Sequence, residues 1–194
     1  MSSRRRERII TFLAVLAGIL LSGVVVLTTS RAVFSDTAAS DGNYFATGDV
    51  DLTDELENAT VLFEVDDMVP GQAEERCIEV TYLGSLDPDL VKVHSGGATD
   101  DGLAEWLAVT IEQGVGGNYA DCSGFGGQST IFDGSMDDFL ADHTDYASGV
   151  GSWDPSAAGE KRTYRITVVF DENAPDTTQG ASLTDLSFVW EVQS

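Results

Sequence analysis

Beyond residue 43 the chain alternates apolar and polar positions with a period of two through most of its length, the pattern of half-buried strands rather than of amphipathic helices. "RCIEVTYLGSL" sets Ile78, Val80 and Tyr82 on one face against Cys77, Glu79 and Thr81 on the other. In "TYRITVVFD" the residues Tyr164, Ile166, Val168 and Phe170 share a face. "YFATGDVDLT" (44–53) alternates over its second half, with Val50 and Leu52 opposed to Asp49 and Asp51. Further strands are expected at "ATVLFEV" (59–65), "LVKVH" (90–94), "LAVTIEQ" (107–113), "STIF" (129–132) and "LSFVWEVQ" (186–193). Strands with one face in a core and one in water pack as facing sheets, so the expected class is all-β, a β-sandwich.

Two stretches break the alternation with helical spacing. "TDDGLAEWL" (99–107) has Thr99 or Asp100 as a cap and Leu103, Trp106 and Leu107 on one side. "GSMDDFLADH" (134–143) has Ser135 as a cap and Met136, Phe139 and Leu140 on one side. Each is about two turns, too short to stand alone in water, and is expected to close an end of the sandwich. Pro70 and Gly71 mark a turn. The segments "GVGGNYADCSGFGGQ" and "ASGVGSWDPSAAGEK" read as connecting loops. Gly114 to Gly117 lack the Lys-Ser or Lys-Thr ending of a phosphate loop and precede no helix.

The amino-terminal pattern is different in kind. Arg4, Arg5, Arg6 and Arg8 precede an apolar run from Ile9 to Leu27, and "TTSRA" places Ser30 and Ala32 at the small positions before a signal-peptidase cut. The expected cleavage is between Ala32 and Val33, dividing the chain into a signal peptide (1–32), an amino-terminal segment (33–42) and one sandwich domain (43–194). The alternative is an uncleaved anchor, since such a run can just span a bilayer. In either case the basic cluster stays inside and the remainder is exported, so contact with a membrane is expected only through the leader.

Charge and cysteines sharpen the picture. The chain carries a formal charge of −23, and removal of residues 1–32 leaves five basic against 32 acidic residues, or −27. That sign excludes nucleic acid as a natural partner. It fits a solvated acidic surface, and no Asp-x-Asp-x-Asp-Gly calcium loop is present. Cys77 and Cys122 are the only cysteines, and an even count in an exported chain reads as one disulfide. Cys77, Cys122, His94 and His143 also form a conceivable metal set, yet no two of them have paired ligand spacing. No metal and no cofactor is expected.

Four blocks resemble the TasA and camelysin family of secreted proteins. The first is Phe34, Ser35 and Asp36 followed by Gly42, Asn43, Phe45, Gly48, Val50, Asp51 and Leu52. The second is Met68, Pro70, Gly71 and Gln72. The third is "CSGF" with the later "FDGSMDDFL". The fourth is the closing stretch with Tyr164, Ile166, Val168, Gln179, Gly180, Ser182, Phe188, Trp190 and Glu191, where Ala174 and Asp176 depart around an expected Asn. The resemblance implies a jelly-roll form of the sandwich, a leader removed by a SipW-type signal peptidase, and head-to-tail assembly into extracellular filaments of the biofilm-matrix kind. In such filaments the amino-terminal segment of one subunit adds as a strand to the next, which casts Val33, Phe34, Ser35, Asp36, Thr37 and Ala38 as a donor strand. An exposed sheet edge is a row of unpaired donors and acceptors that an extended segment can satisfy.

Two other functions are open to such a chain. The camelysin resemblance also implies zinc-dependent proteolysis, but the chain has no His-Glu-x-x-His and no Gly-x-Ser-x-Gly, so no catalytic residue is assigned. The remaining reading is a monomeric surface module held by an uncleaved leader.

Overall fold

The computed structural model describes residues 35–39 (main chain), 52–54, 62, 63, 65, 67–86 and 88–194. The expected leader, its cut between Ala32 and Val33, and Phe34 lie outside the described residues, as does most of the strand expected at 44–53.

The described strands are β1 (Ser35–Ala39), β2 (Leu52–Asp54), β3 (Ala73–Tyr82), β4 (Val91–Asp100), β5 (Leu107–Val115), β6 (Gly126–Ser135), β7 (Val150–Trp153), β8 (Lys161–Phe170) and β9 (Leu183–Gln193). They form a four-stranded sheet, β1-β9-β4-β7, and a five-stranded sheet, β2-β3-β8-β5-β6. All neighbouring strands are antiparallel. Every connection from β3 to β9 except β5–β6 crosses from one sheet to the other, the weaving that characterises jelly-roll sandwiches.

The alternation explains the core. Ile78, Val80 and Tyr82 of β3, Val109 and Ile111 of β5, and Tyr164 and Ile166 of β8 are all fully buried. They meet Val91 and Val93 of β4, Trp153 of β7, and Phe188, Trp190 and Val192 of β9 in one cluster. The Tyr164 and Trp190 rings stand edge to face, 5.7 Å apart, a preferred geometry for aromatic pairs.

Helix α1 (Met136–Asp142) starts as expected, with the Ser135 hydroxyl accepting from the Asp138 N–H at 3.0 Å. Met136 and Phe139 point into the core. The other expected helix is corrected. Thr99 and Asp100 end β4, and only Ala104–Trp106 turns, as a single 3-10 turn, before β5 begins. The Asp100 carboxylate still accepts from the N–H groups of Leu103 and Ala104 at 2.9 Å, which satisfies the donors of that turn.

Two further corrections concern strands. Residues 62, 63 and 65 lie outside any strand, although Leu62 is buried. β7 falls in a stretch expected to be loop. Its Gly151 explains the misreading, since a Cβ there would sit 2.2 Å from the Val91 carbonyl oxygen. Close approach of two backbones demands the residue that otherwise signals a loop. The Pro70–Gly71 turn is present, with Gly71 at φ +84° and the Gln72 N–H donating to the Val69 carbonyl at 2.9 Å.

Candidate assembly interface

β9 occupies a pivotal place because it carries the core aromatics and lies next to the edge strand of its sheet. Phe188, Trp190 and Val192 face inward, while Val189 and Glu191 lie on the outer face. The ladder covering β9 is short and regular. Ser35 pairs with Gln193, Asp36 with Val192, Thr37 with Glu191, Ala38 with Trp190 and Ala39 with Val189. Four of the six residues expected to form a donor strand therefore lie along β9 of their own chain. Val33 and Phe34 are outside the described residues.

On the outer face Glu191 stands in one row between Thr37 of β1 and Lys92 of β4. Its carboxylate meets the His94 Nε2 at 3.1 Å, with the two side chains 10% and 14% exposed. The amide of Gln193 donates to its other oxygen at 2.9 Å. The His94 Nδ1 lies 3.1 Å from the Ser95 carbonyl, which only accepts. With an acceptor at each nitrogen, the ring is best satisfied when both are protonated. The bond to Glu191 raises the His94 pKa above its usual value despite partial burial. Burial alone would raise the Glu191 pKa, but the bonds from His94 and Gln193 outweigh it and the net direction is down. Both shifts describe one ion pair.

The loop after α1 folds over the outside of β4. The Ser95 N–H donates to the His143 carbonyl at 2.7 Å, and the Lys92 ammonium donates to the Tyr146 carbonyl at 3.2 Å. The Tyr146 hydroxyl donates to the Leu90 carbonyl at 2.8 Å, and burial pushes its pKa up to about 12.

On the opposite sheet the Cys77–Cys122 disulfide is formed, with Cα atoms 5.3 Å apart. Cys77 belongs to β3 and Cys122 to the β5–β6 connection, so the bridge straps that connection across β8. Beneath it the Arg165 guanidinium bonds Glu112 and stacks 4.7 Å from the centre of the Phe125 ring. Bonded to each other, these two sulfurs are not available with His94 and His143 as metal ligands. Among the described residues no three His, Cys, Asp or Glu gather as a metal ion would require. None of the helices described is long and apolar enough to cross a membrane.

Residues 11–103 match the family described as camelysin metallo-endopeptidase. Over that range, just under half of its length, the chain is similar to the camelysin family. The matched range takes in the opening block from Phe34 to Leu52 and the Met68–Gln72 turn, two of the four blocks that carry the resemblance. It ends soon after β4, before the β5–β6 connection, α1 and the closing strands. No curated protein matches the chain.

Local alternation does not predict the His94–Glu191 pair. Its signal was present as a Glu interrupting the apolar run of β9 and a His ending that of β4. Their pairing depends on a register that no local pattern reveals.

Proposed function

We propose that this chain is a secreted structural protein that polymerises head to tail into extracellular filaments of the biofilm-matrix kind, its amino-terminal segment exchanged as a donor strand between neighbours. The observation that carries the reading is the β1–β9 ladder. A five-residue strand without a large side chain covers the edge of a sheet whose next strand is β9. Without β1 that edge is a run of backbone donors and acceptors above a complete core, the kind of template that strand addition uses. Transfer of β1 to a neighbour's β9 preserves the ladder and leaves the donor's own edge open for the next copy. A contact of this type is heterologous and does not close, so it propagates as a fibre.

The reading includes export, with removal of residues 1–32 by a SipW-type signal peptidase, which would free β1 from its leader. Proteolysis, the activity in the family's description, finds no comparable support. The described residues offer no metal-binding group, and His94 has both ring nitrogens engaged.

Electron microscopy of protein beginning at Val33, beside protein beginning at Gly42, tests the proposal. Fibres are expected from the first alone. Fibres from both would remove the donor strand from the account.

A further inference from the structure

A sheet edge is a hazard as well as a template, because any extended chain can add to it. The described sheets end in four strands, β1 and β7 in one, β2 and β6 in the other. Exchange of strands onto β9 requires the remaining edges to be poorer acceptors. β2 is described over three residues. β6 has ten, but its register against β5 shifts twice. The pairs run from Ile111–Phe132 to Glu112–Thr130, and from Gln113–Ser129 to Gly114–Gly127, so Ile131 and Gln128 are extra residues that kink the edge. The Arg162 guanidinium donates to the Gln128 Oε1 at 2.6 Å, which ties one kink to β8.

β7 is four residues long and has one shift of register against β4, its neighbour in the sheet. A side chain from the opposite sheet reaches its backbone. Gln113 stands on β5 in line with Val109 and Ile111, in the row that fills the core, and is 5% exposed. A buried amide carries two donors and an acceptor that need partners. The Gln113 Nε2 donates to the Ser152 hydroxyl at 2.7 Å, and its Oε1 accepts from the Ser152 N–H at 3.2 Å. The amide thus offers β7 a donor and an acceptor together, as a peptide group of an added strand would. Stability alone does not call for it. A leucine matches Gln113 in size and would continue the apolar row of Val109 and Ile111 without a polar group to satisfy.

We propose that Gln113 closes the β7 edge to strand addition and so directs a donor strand to β9. The proposal rests on the strand-exchange reading and adds to it a residue that decides between acceptor edges. With the Ser152 N–H already bonded, a strand arriving at β7 must displace Gln113 and leave a buried amide without partners, a cost that β9 does not impose.

The test compares the chain from Val33 with its Gln113→Leu variant, and with Gln113→Met should the branched side chain not fit. Amide hydrogen exchange at Ser152 should quicken about tenfold, as loss of one hydrogen bond implies, while exchange at Ile78 in β3 is unchanged. A synthetic peptide of residues 33–40, with the photoreactive aromatic benzoylphenylalanine in place of Thr37, is then added in excess and irradiated, and its crosslinks are mapped by mass spectrometry. In the parent chain they are expected along β9 and not on residues 150–153. In the variant they are expected at both. Crosslinks on residues 150–153 in both chains or in neither, or an unchanged rate at Ser152, would overturn the role given to Gln113. Absence of crosslinks along β9 in both chains would sink the strand-exchange reading, while the Ser152 rate and the contrast at residues 150–153 would still decide on Gln113.

Discussion

His94 Nε2 lies 3.1 Å from Glu191 Oε2, which joins the outer faces of β4 and β9 through a charge pair largely withdrawn from water. The pair makes stability depend on pH in a definite sense. The His94 pKa is raised above 6.5, so its contribution is present below that value and is lost as pH rises through the folded-state pKa. The Glu191 pKa is lowered below 4.5, so its contribution is present above that value and is lost as pH falls through the folded-state pKa. Melting temperature should therefore peak between these values and decline above neutrality. Glu191→Ala, which leaves His94 buried without its partner, should cost about 3 kcal/mol at pH 6. A melting temperature rising steadily from pH 6 to 9 would contradict this account.

Proline at both Asp36 and Thr37 removes a ladder donor whichever of the two N–H groups faces β9. Fibres should be lost. The core lies in strands that these substitutions do not touch, so the near-ultraviolet dichroism of its aromatic residues should remain. Fibres in normal yield would show that β1 takes no part in assembly.

The Cys77–Cys122 bridge closes a loop with a sequence separation of 45. In the chain-entropy model such a bridge contributes roughly 4 kcal/mol. Cys77→Ser with Cys122→Ser should lower the denaturation midpoint accordingly. The β1–β9 ladder lies in the other sheet, so fibres should still form at temperatures where the variant is folded.

A chain beginning at Val33 carries a formal charge of −27, so the proposed assembly would work against mutual repulsion. Raising salt from about 10 mM to about 150 mM shortens the screening length from about 30 Å to about 8 Å. The concentration at which fibres appear should fall over that range, by light scattering. A steady rise in that concentration with salt would mean that attraction between charges, rather than the ladder, holds the fibre.

How much was legible in advance differed from element to element. β8 could be read directly, because Tyr164, Ile166, Val168 and Phe170 bury one face of a strand flanked by β3 and β5. The start of α1 was legible because a cap is a local bond, from Ser135 to the Asp138 N–H. β4 reached beyond the expected His94 to Asp100, through a Gly96–Gly97 pair that looks like a stop. Its ladder with β9 accommodates that pair by shifts of register on either side of Gly97. Among the site residues, the cysteines could be paired by count alone. The His94–Glu191 contact spans 97 positions and depends on which strands become neighbours, which local alternation does not encode.

The same five residue pairs join β1 to β9 whether the strand stays at home or is lent to a neighbour. Their energy then cancels between the stored monomer and the fibre, and the balance passes to concentration. Twelve residues, 40–51, separate β1 from β2 in the sequence, and this covalent tether sets the local concentration of a chain's own strand, on the order of a millimolar for short linkers in general. Lengthening or stiffening that tether would be a way to adjust when polymerisation begins without altering a single contact in the finished filament.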